Sequence, residues 1–225
     1  MVTVAGDAAA FSLRVPDLAA RSSNCCGIPR LAVSILLMTT YMLLNRQFAK
    51  QYLADTANKK SQKYFDQGSV QKALDYANKS VELNPYEPFY YRTRAKTYIL
   101  QTTGQNTDTI NSFKALALKD ILKSQDLNTQ NLATLRGLVS LYYFLALQNV
   151  GAVANDGVPG NNINSFYLEI AQSYYKNLST NYPTDVGVLV LMAKYQKMLG
   201  LNIDYRVTHE QIKALRPDLL DWYLE

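Results

Sequence analysis

The side chains able to perform chemistry in this sequence are few and scattered. There is one histidine, His209, and the two cysteines stand side by side as Cys25 and Cys26. A Ser-His-Asp relay would have to run through His209, whose nearest acids are Asp204 and Glu210, and no nucleophile elbow accompanies them. The run GVPGNN at residues 157–162 has glycines but lacks the lysine and following helix of a phosphate loop. With a single histidine and no cysteine beyond residue 26, a zinc or haem site has almost no ligands to draw on, so no metal and no cofactor is expected. Glu82 and Asp126 hold matching places in two similar segments, as solvated helix ends do, rather than facing each other as acid and base. These residues point away from catalysis and toward binding. Arg92, Lys96 and Arg136 carry the charge to hold a carboxylate, Phe89 and Tyr143 carry rings to cover an apolar group, and Lys194 adds a further cation. The same residues equally fit a solvated helix face backed by core aromatics.

A run of helices must position them. Residues 64–100 read as helix, glycine turn, helix, proline turn, helix. Gly68 closes one apolar pattern, and Ala73, Leu74, Ala77, Val81 and Leu83 mark the buried side of the next before Asn84-Pro85 stops it. The pattern recurs: ALDYANKSVELNP at 73–85 matches ALKDILKSQDLNT at 117–129, pairing Ala73 with Ala117 and Ser80 with Ser124. Self-similarity at such a spacing indicates stacked helical hairpins. Helices are predicted over 45–65, 70–83, 87–101, 107–126, 129–148, 163–181, 185–199 and 206–215, with a Gly/Asn/Pro-rich loop at 149–162. The final PDLLDWYLE starts at Pro217 and is expected to bury Leu219, Leu220 and Trp222 as a terminal cap.

In the first hairpin, Tyr64, Gly68, Ala73, Ser80 and Pro85 resemble the tetratricopeptide (TPR) repeat family, whose unit is a helix pair of about 34 residues. Tyr91, Ala95, Tyr98, Ala117 and Ser124 continue the likeness in a second unit. Leu135, Leu138, Tyr142, Ala171, Leu178 and Pro183 do so in a third, and Leu189, Met192, Ala193, Gly200 and Pro217 in a fourth. The fourth departs from the pattern at Tyr205, where a small residue belongs. The resemblance implies an all-α, TPR-like helical-hairpin solenoid of about four units, binding protein or peptide partners in a concave groove lined by the first helix of each pair. That face would comprise Asn58, Gln62, Phe65, Ile99, Ser140, Val190 and Lys197 beside the six residues named above. The lysine and asparagine clamp of chaperone-binding members is not reproduced, since Asn58 and Gln62 occupy its first-helix sites. A second likeness covers ADTANKKSQKYFDQG at 54–68 and ELNPYEPFYYR at 82–92, which is similar to the junction where bacterial O-antigen ligase or polymerase-like membrane proteins enter a TPR tail. It implies an extracytoplasmic array and an alternative role as an accessory or truncated part of cell-envelope glycan assembly, with no catalytic residue carried over.

Of 225 residues 48% are hydrophobic, enough for a substantial core. The net charge of +5 is spread among acids rather than clustered, so nucleic acid is not an expected partner. Residues 1–30 read as a poorly ordered leader. Residues 31–45 are charge-free and apolar on every side, bracketed by Arg30 and Arg46, with no cleavage signal after Leu44. The apolar run of 14 residues to Leu44 is short against the roughly 20 of a full span. Two readings follow: a membrane anchor, making this a single-pass tethered scaffold, or an apolar helix packed against the first repeat of a soluble protein. Arginines and lysines on both sides leave the topology open. Residues 46–225 form the repeat domain. The oligomeric state is not encoded legibly.

Overall fold

The computed structural model describes residues 30–148 and 163–219. The leader, the 149–162 insertion and the Leu220 and Trp222 cap expected from the sequence lie outside the described residues. Among those described, the chain is all-α: α1 (Arg30–Asp66), α2 (Val70–Leu83), α3 (Pro88–Gln101), α4 (Thr107–Leu127), α5 (Leu132–Ala146), α6 (Ser165–Asn181), α7 (Val186–Met198) and α8 (Asn202–Leu215), followed by a 3-10 turn at Pro217–Leu219. The only extended pairing among them is an isolated antiparallel bridge between Leu147 and Ile163.

Short polar residues set the helix starts. The side chains of Asn106, Asn131, Asn164 and Asp185 accept hydrogen bonds from the amides of Thr109, Thr134, Tyr167 and Val188, each relieving one orphan donor of a first turn. At α3 the same service comes from Glu87, with Pro88 at the first helical position where no amide is needed. Two helices end in one device. Gly68 and Gly200 hold φ of 71° and 72°, and the following amides, Ser69 and Leu201, donate back to the carbonyls of Tyr64 and Gln196 at 2.9 Å.

The chain divides into two units, Met1–Asn45 and Arg46–Glu225. In the first, the described residues belong to the opening turns of α1, where Ile35, Leu36, Leu37, Met38, Met42 and Leu43 are all exposed. No helix among the described residues is long and apolar enough to cross a membrane.

In the second unit α3, α5 and α7 each pack on the helices next to them in sequence, and α5 also packs on both α3 and α7. The paired small residues of the sequence repeat are interior: Ala73, Ala117, Ser80 and Ser124 are all 0% exposed. Their hydroxyl and carbonyl groups tie neighbouring helices. Ser61 donates to the Ala73 carbonyl at 2.8 Å, joining α1 to α2, and Ser124 donates to the Pro88 carbonyl at 2.9 Å, joining α4 to α3. Such close backbone approach requires a small side chain at the crossing. Tyrosines fill the wider gaps and send their hydroxyls to main-chain acceptors: Tyr174 to Leu135 at 2.8 Å and Tyr175 to Val139 at 3.0 Å, both from α6 to α5.

Two charged side chains, Asp120 and Lys114, are also interior. Arg94 meets the Asp120 carboxylate through two bonds of 2.7 Å, clamping α3 to α4. Lys114 on α4 has no carboxylate within ion-pair distance among the described residues; its ammonium donates to the Leu147 carbonyl at the end of α5 and sits over the Tyr167 ring, 5.1 Å from its centre. Burial pulls the Lys114 ammonium down to about 8.

Candidate functional site

α1, α3 and α5 border a cavity of about 460 Å³. Its walls follow from helix periodicity. On α3, Phe89, Arg92 and Lys96 lie three and four residues apart and so share one face. On α5, Ala133, Gly137 and Ser140 present a similarly spaced row of small side chains. On α1, Gln62 and Phe65 complete the rim, with Asp66 beside them.

The small row decides where Arg92 goes. A Cβ on Gly137 would stand 3.1 Å from Nη1 of Arg92, so the glycine leaves the guanidinium room to lie across α5, where Nη1 donates to the Ala133 carbonyl at 3.2 Å. The guanidinium also lies 5.3 Å from the centre of the Phe89 ring, and Nζ of Lys96 lies 4.2 Å from that of Phe65. Burial lowers the pKa of Arg92 from its ordinary value against the opposing pull of Glu87, the sign of a cation taken partly out of water. Among the described residues no carboxylate reaches Arg92 or Lys96 within ion-pair distance.

Arg136 is placed differently. Its Nη2 donates to Asp185 at 2.5 Å, and it lies across Gly187, where a Cβ would approach to 2.7 Å. Asp185 thus serves two partners, Arg136 and the Val188 amide. Burial works to raise its carboxyl, yet these two bonds together hold it below the usual carboxylate range. The arginine is an internal clasp between α5 and α7.

Of the six residues expected to bind a partner, the cavity brings together Phe89, Arg92 and Lys96. Tyr143, expected on the open face, is 1% exposed and packs against Tyr195 at 4.8 Å between ring centres. The reason is the position of α5, which α3, α4, α6 and α7 all contact, so that the side of its second half carrying Tyr143 is covered while Ser140 still borders the cleft. Asn58, Ile99 and Val190 are likewise interior. Lys194 is exposed on α7, near the Tyr195 ring, and does not border this cavity. The sequence reading missed Ala133 and Gly137, although their four-residue spacing of small side chains was visible. His209 is part-exposed on α8, with Nδ1 3.7 Å from Glu210. Among the described residues no three His, Cys, Asp or Glu side chains are grouped to hold a metal.

The arrangement offers a cleft with two cations in no ion pair among the described residues, the Asp66 carboxylate at its rim, two aromatic rings and a floor of small side chains. Such a set can receive a carboxylate on the guanidinium and an apolar side chain between the rings. Comparison of the sequence with protein-family models and with curated proteins yields no match to either.

Proposed function

We propose that this protein is a non-catalytic, TPR-like helical-repeat scaffold that binds a protein or peptide partner in the cleft between α1, α3 and α5. The observation that carries the reading is Arg92, half-buried and in no ion pair among the described residues, beside the exposed Lys96 and Phe89, which is 42% exposed. A half-buried guanidinium satisfied by one carbonyl is a good receptor for an acidic side chain or a chain-terminal carboxylate, because a bidentate carboxylate pairs the remaining donors. Phe65 and Phe89 then supply the apolar anchor.

The repeat reading is supported by the interior pairing of Ala73 with Ala117 and Ser80 with Ser124, and by the sequential packing of the helices. We further propose that residues 31–45 tether the scaffold to a membrane. The support is a set of exposed apolar side chains on one helix, Val33, Ile35 to Met38 and Tyr41 to Leu44, an arrangement that water alone disfavours. Since that apolar part is shorter than a span requires, the tether is a helix embedded in the bilayer rather than one defined by a full-length apolar crossing.

The testing experiment is partner capture by full-length protein carrying Lys96→Glu or Arg92→Glu. Each reversal should abolish capture while the helical circular dichroism stays unchanged. Capture that survives both reversals would remove the cleft from the account.

A further inference from the structure

A second cavity, of about 400 Å³, lies between α6, α7 and α8 and shares no residue with the first. Its origin can be followed through the helices. Tyr98, Tyr142 and Gln196 are each the eleventh residue of their helix, in α3, α5 and α7. The two tyrosines stack on an aromatic ring of the next helix: Tyr98 on Phe113 of α4 at 6.1 Å, and Tyr142 on Tyr174 of α6 at 4.2 Å. Phe113 and Tyr174 are the seventh and tenth residues of their helices, and the same places in α8 hold Thr208 and Gln211. In the last pair, both sides of the aromatic stack are therefore amides and a hydroxyl, and all three border the cavity.

Gln196 makes this more than a packing gap. It is 4% exposed, and its Oε1 has no hydrogen-bond partner among the described residues. A shielded amide oxygen without a donor is costly to fold, and it is relieved by a ligand that brings a hydroxyl or N–H to it. The surrounding groups narrow the chemistry. Amides and hydroxyls predominate, while the one carboxylate, Asp204, and the one ammonium, Lys176, cancel in charge. Asp204 already accepts from the Gln172 amide at 3.3 Å. An anion or a cation would meet its own sign on one wall, and an apolar molecule would leave the amides unpaired. A molecule dense in hydroxyls satisfies them.

We propose that this cavity binds a small neutral polyhydroxylated molecule of about monosaccharide size, with a ligand hydroxyl donating to Oε1 of Gln196. The volume falls within the roughly 300–1,000 Å³ of small-molecule sites.

The test is a set of ¹⁵N spectra of the full-length protein in buffer free of sugar detergents, titrated with D-glucose, D-galactose and N-acetyl-D-glucosamine, and with glycine as a zwitterionic contrast. At least one sugar should shift the Gln196 side-chain amide saturably. In Gln196→Tyr, which restores the aromatic of the earlier helices, that sugar should bind about tenfold more weakly or not at all, read at the Thr208 amide, while the melting temperature rises. If Gln196→Tyr does not fold, Thr208→Val is read in the same way at the Gln196 amide. Absence of a saturable shift with all three sugars would overturn the proposal, as would a stronger response to glycine or a shift undiminished by the substitution. None of these outcomes bears on the cleft at Arg92.

Discussion

Arg92 of α3 lies across Gly137 of α5, with Nη1 3.1 Å from the point where a Cβ on residue 137 would stand. The bare backbone of one helix thereby fixes where the cation of another is presented.

Gly137→Ala separates stability from binding. An alanine in a helix interior is more favourable than glycine by about 0.5–1 kcal/mol, and the atom it meets is the movable end of a side chain. Thermal denaturation should show a small gain, while partner capture falls several-fold because the guanidinium is displaced. Equal capture by the alanine variant would show that the position of Arg92 is immaterial.

The clasp between Arg136 and Asp185 should be visible in acid. A carboxyl held below its ordinary range in the folded state adds stability that is present above the unfolded pKa and lost as pH falls through the folded one. Asp185→Asn keeps the helix cap but breaks the ion pair, so it should lose roughly 0.5–1 kcal/mol near neutrality and show a shallower decline below about pH 4 than the parent. Urea unfolding at pH 7 and at pH 3 measures both.

Lys114 gives the opposite pH window. Its ammonium is pulled down to about 8 from 10.5, so the folded state bears a penalty that is full below pH 8 and is released as pH rises toward the ordinary lysine value. Tyr142, pushed up to about 12 by burial, stays protonated in the native state through that range, but unfolded tyrosines begin to ionise near pH 10 and reverse the gain. Stability should thus climb between about pH 8 and 10. Lys114→Met should flatten the climb and raise stability at pH 7 by on the order of 1 kcal/mol, less than full relief because the Leu147 carbonyl loses its donor. A rise that persists in the methionine variant would assign it to another group.

Ala117 and Leu116 are neighbours with opposite expectations. Ala117 is 0% exposed, so Ala117→Leu forces α3 and α4 apart and should cost about 1–3 kcal/mol, whereas Leu116→Ala on the outer face should change stability by less than about 0.5 kcal/mol. Denaturant midpoints of the two variants check the helix register directly.

That register was legible because it is local. The spacing from Ala73 to Val81, repeated from Ala117, marks which side of α2 and α4 is interior, and Gly68 announces its own left-handed turn. The cleft was half legible: Phe89, Arg92 and Lys96 share a face by helical spacing alone, and they do line one cavity. The same spacing placed Tyr143 and Arg136 on that face; Tyr143 is interior and Arg136 is engaged by Asp185, both for non-local reasons. Nothing near Tyr143 in sequence tells that four helices surround α5, and Asp185, which captures Arg136, stands 49 residues away. The Gln196 cavity is visible in sequence only once α3, α5 and α7 are aligned on their first residues, which required their observed starts.

On the proposed reading, the cleft between α1, α3 and α5 receives a partner. A photo-crosslinking residue introduced at Ser140, on the cleft wall, should yield a covalent adduct with the partner, and a second one at Glu169, on the exposed side of α6, should not. Lys96→Glu combined with the Ser140 probe should erase the adduct. An adduct of equal yield from both positions, or one from Ser140 that Lys96→Glu leaves intact, would contradict the account.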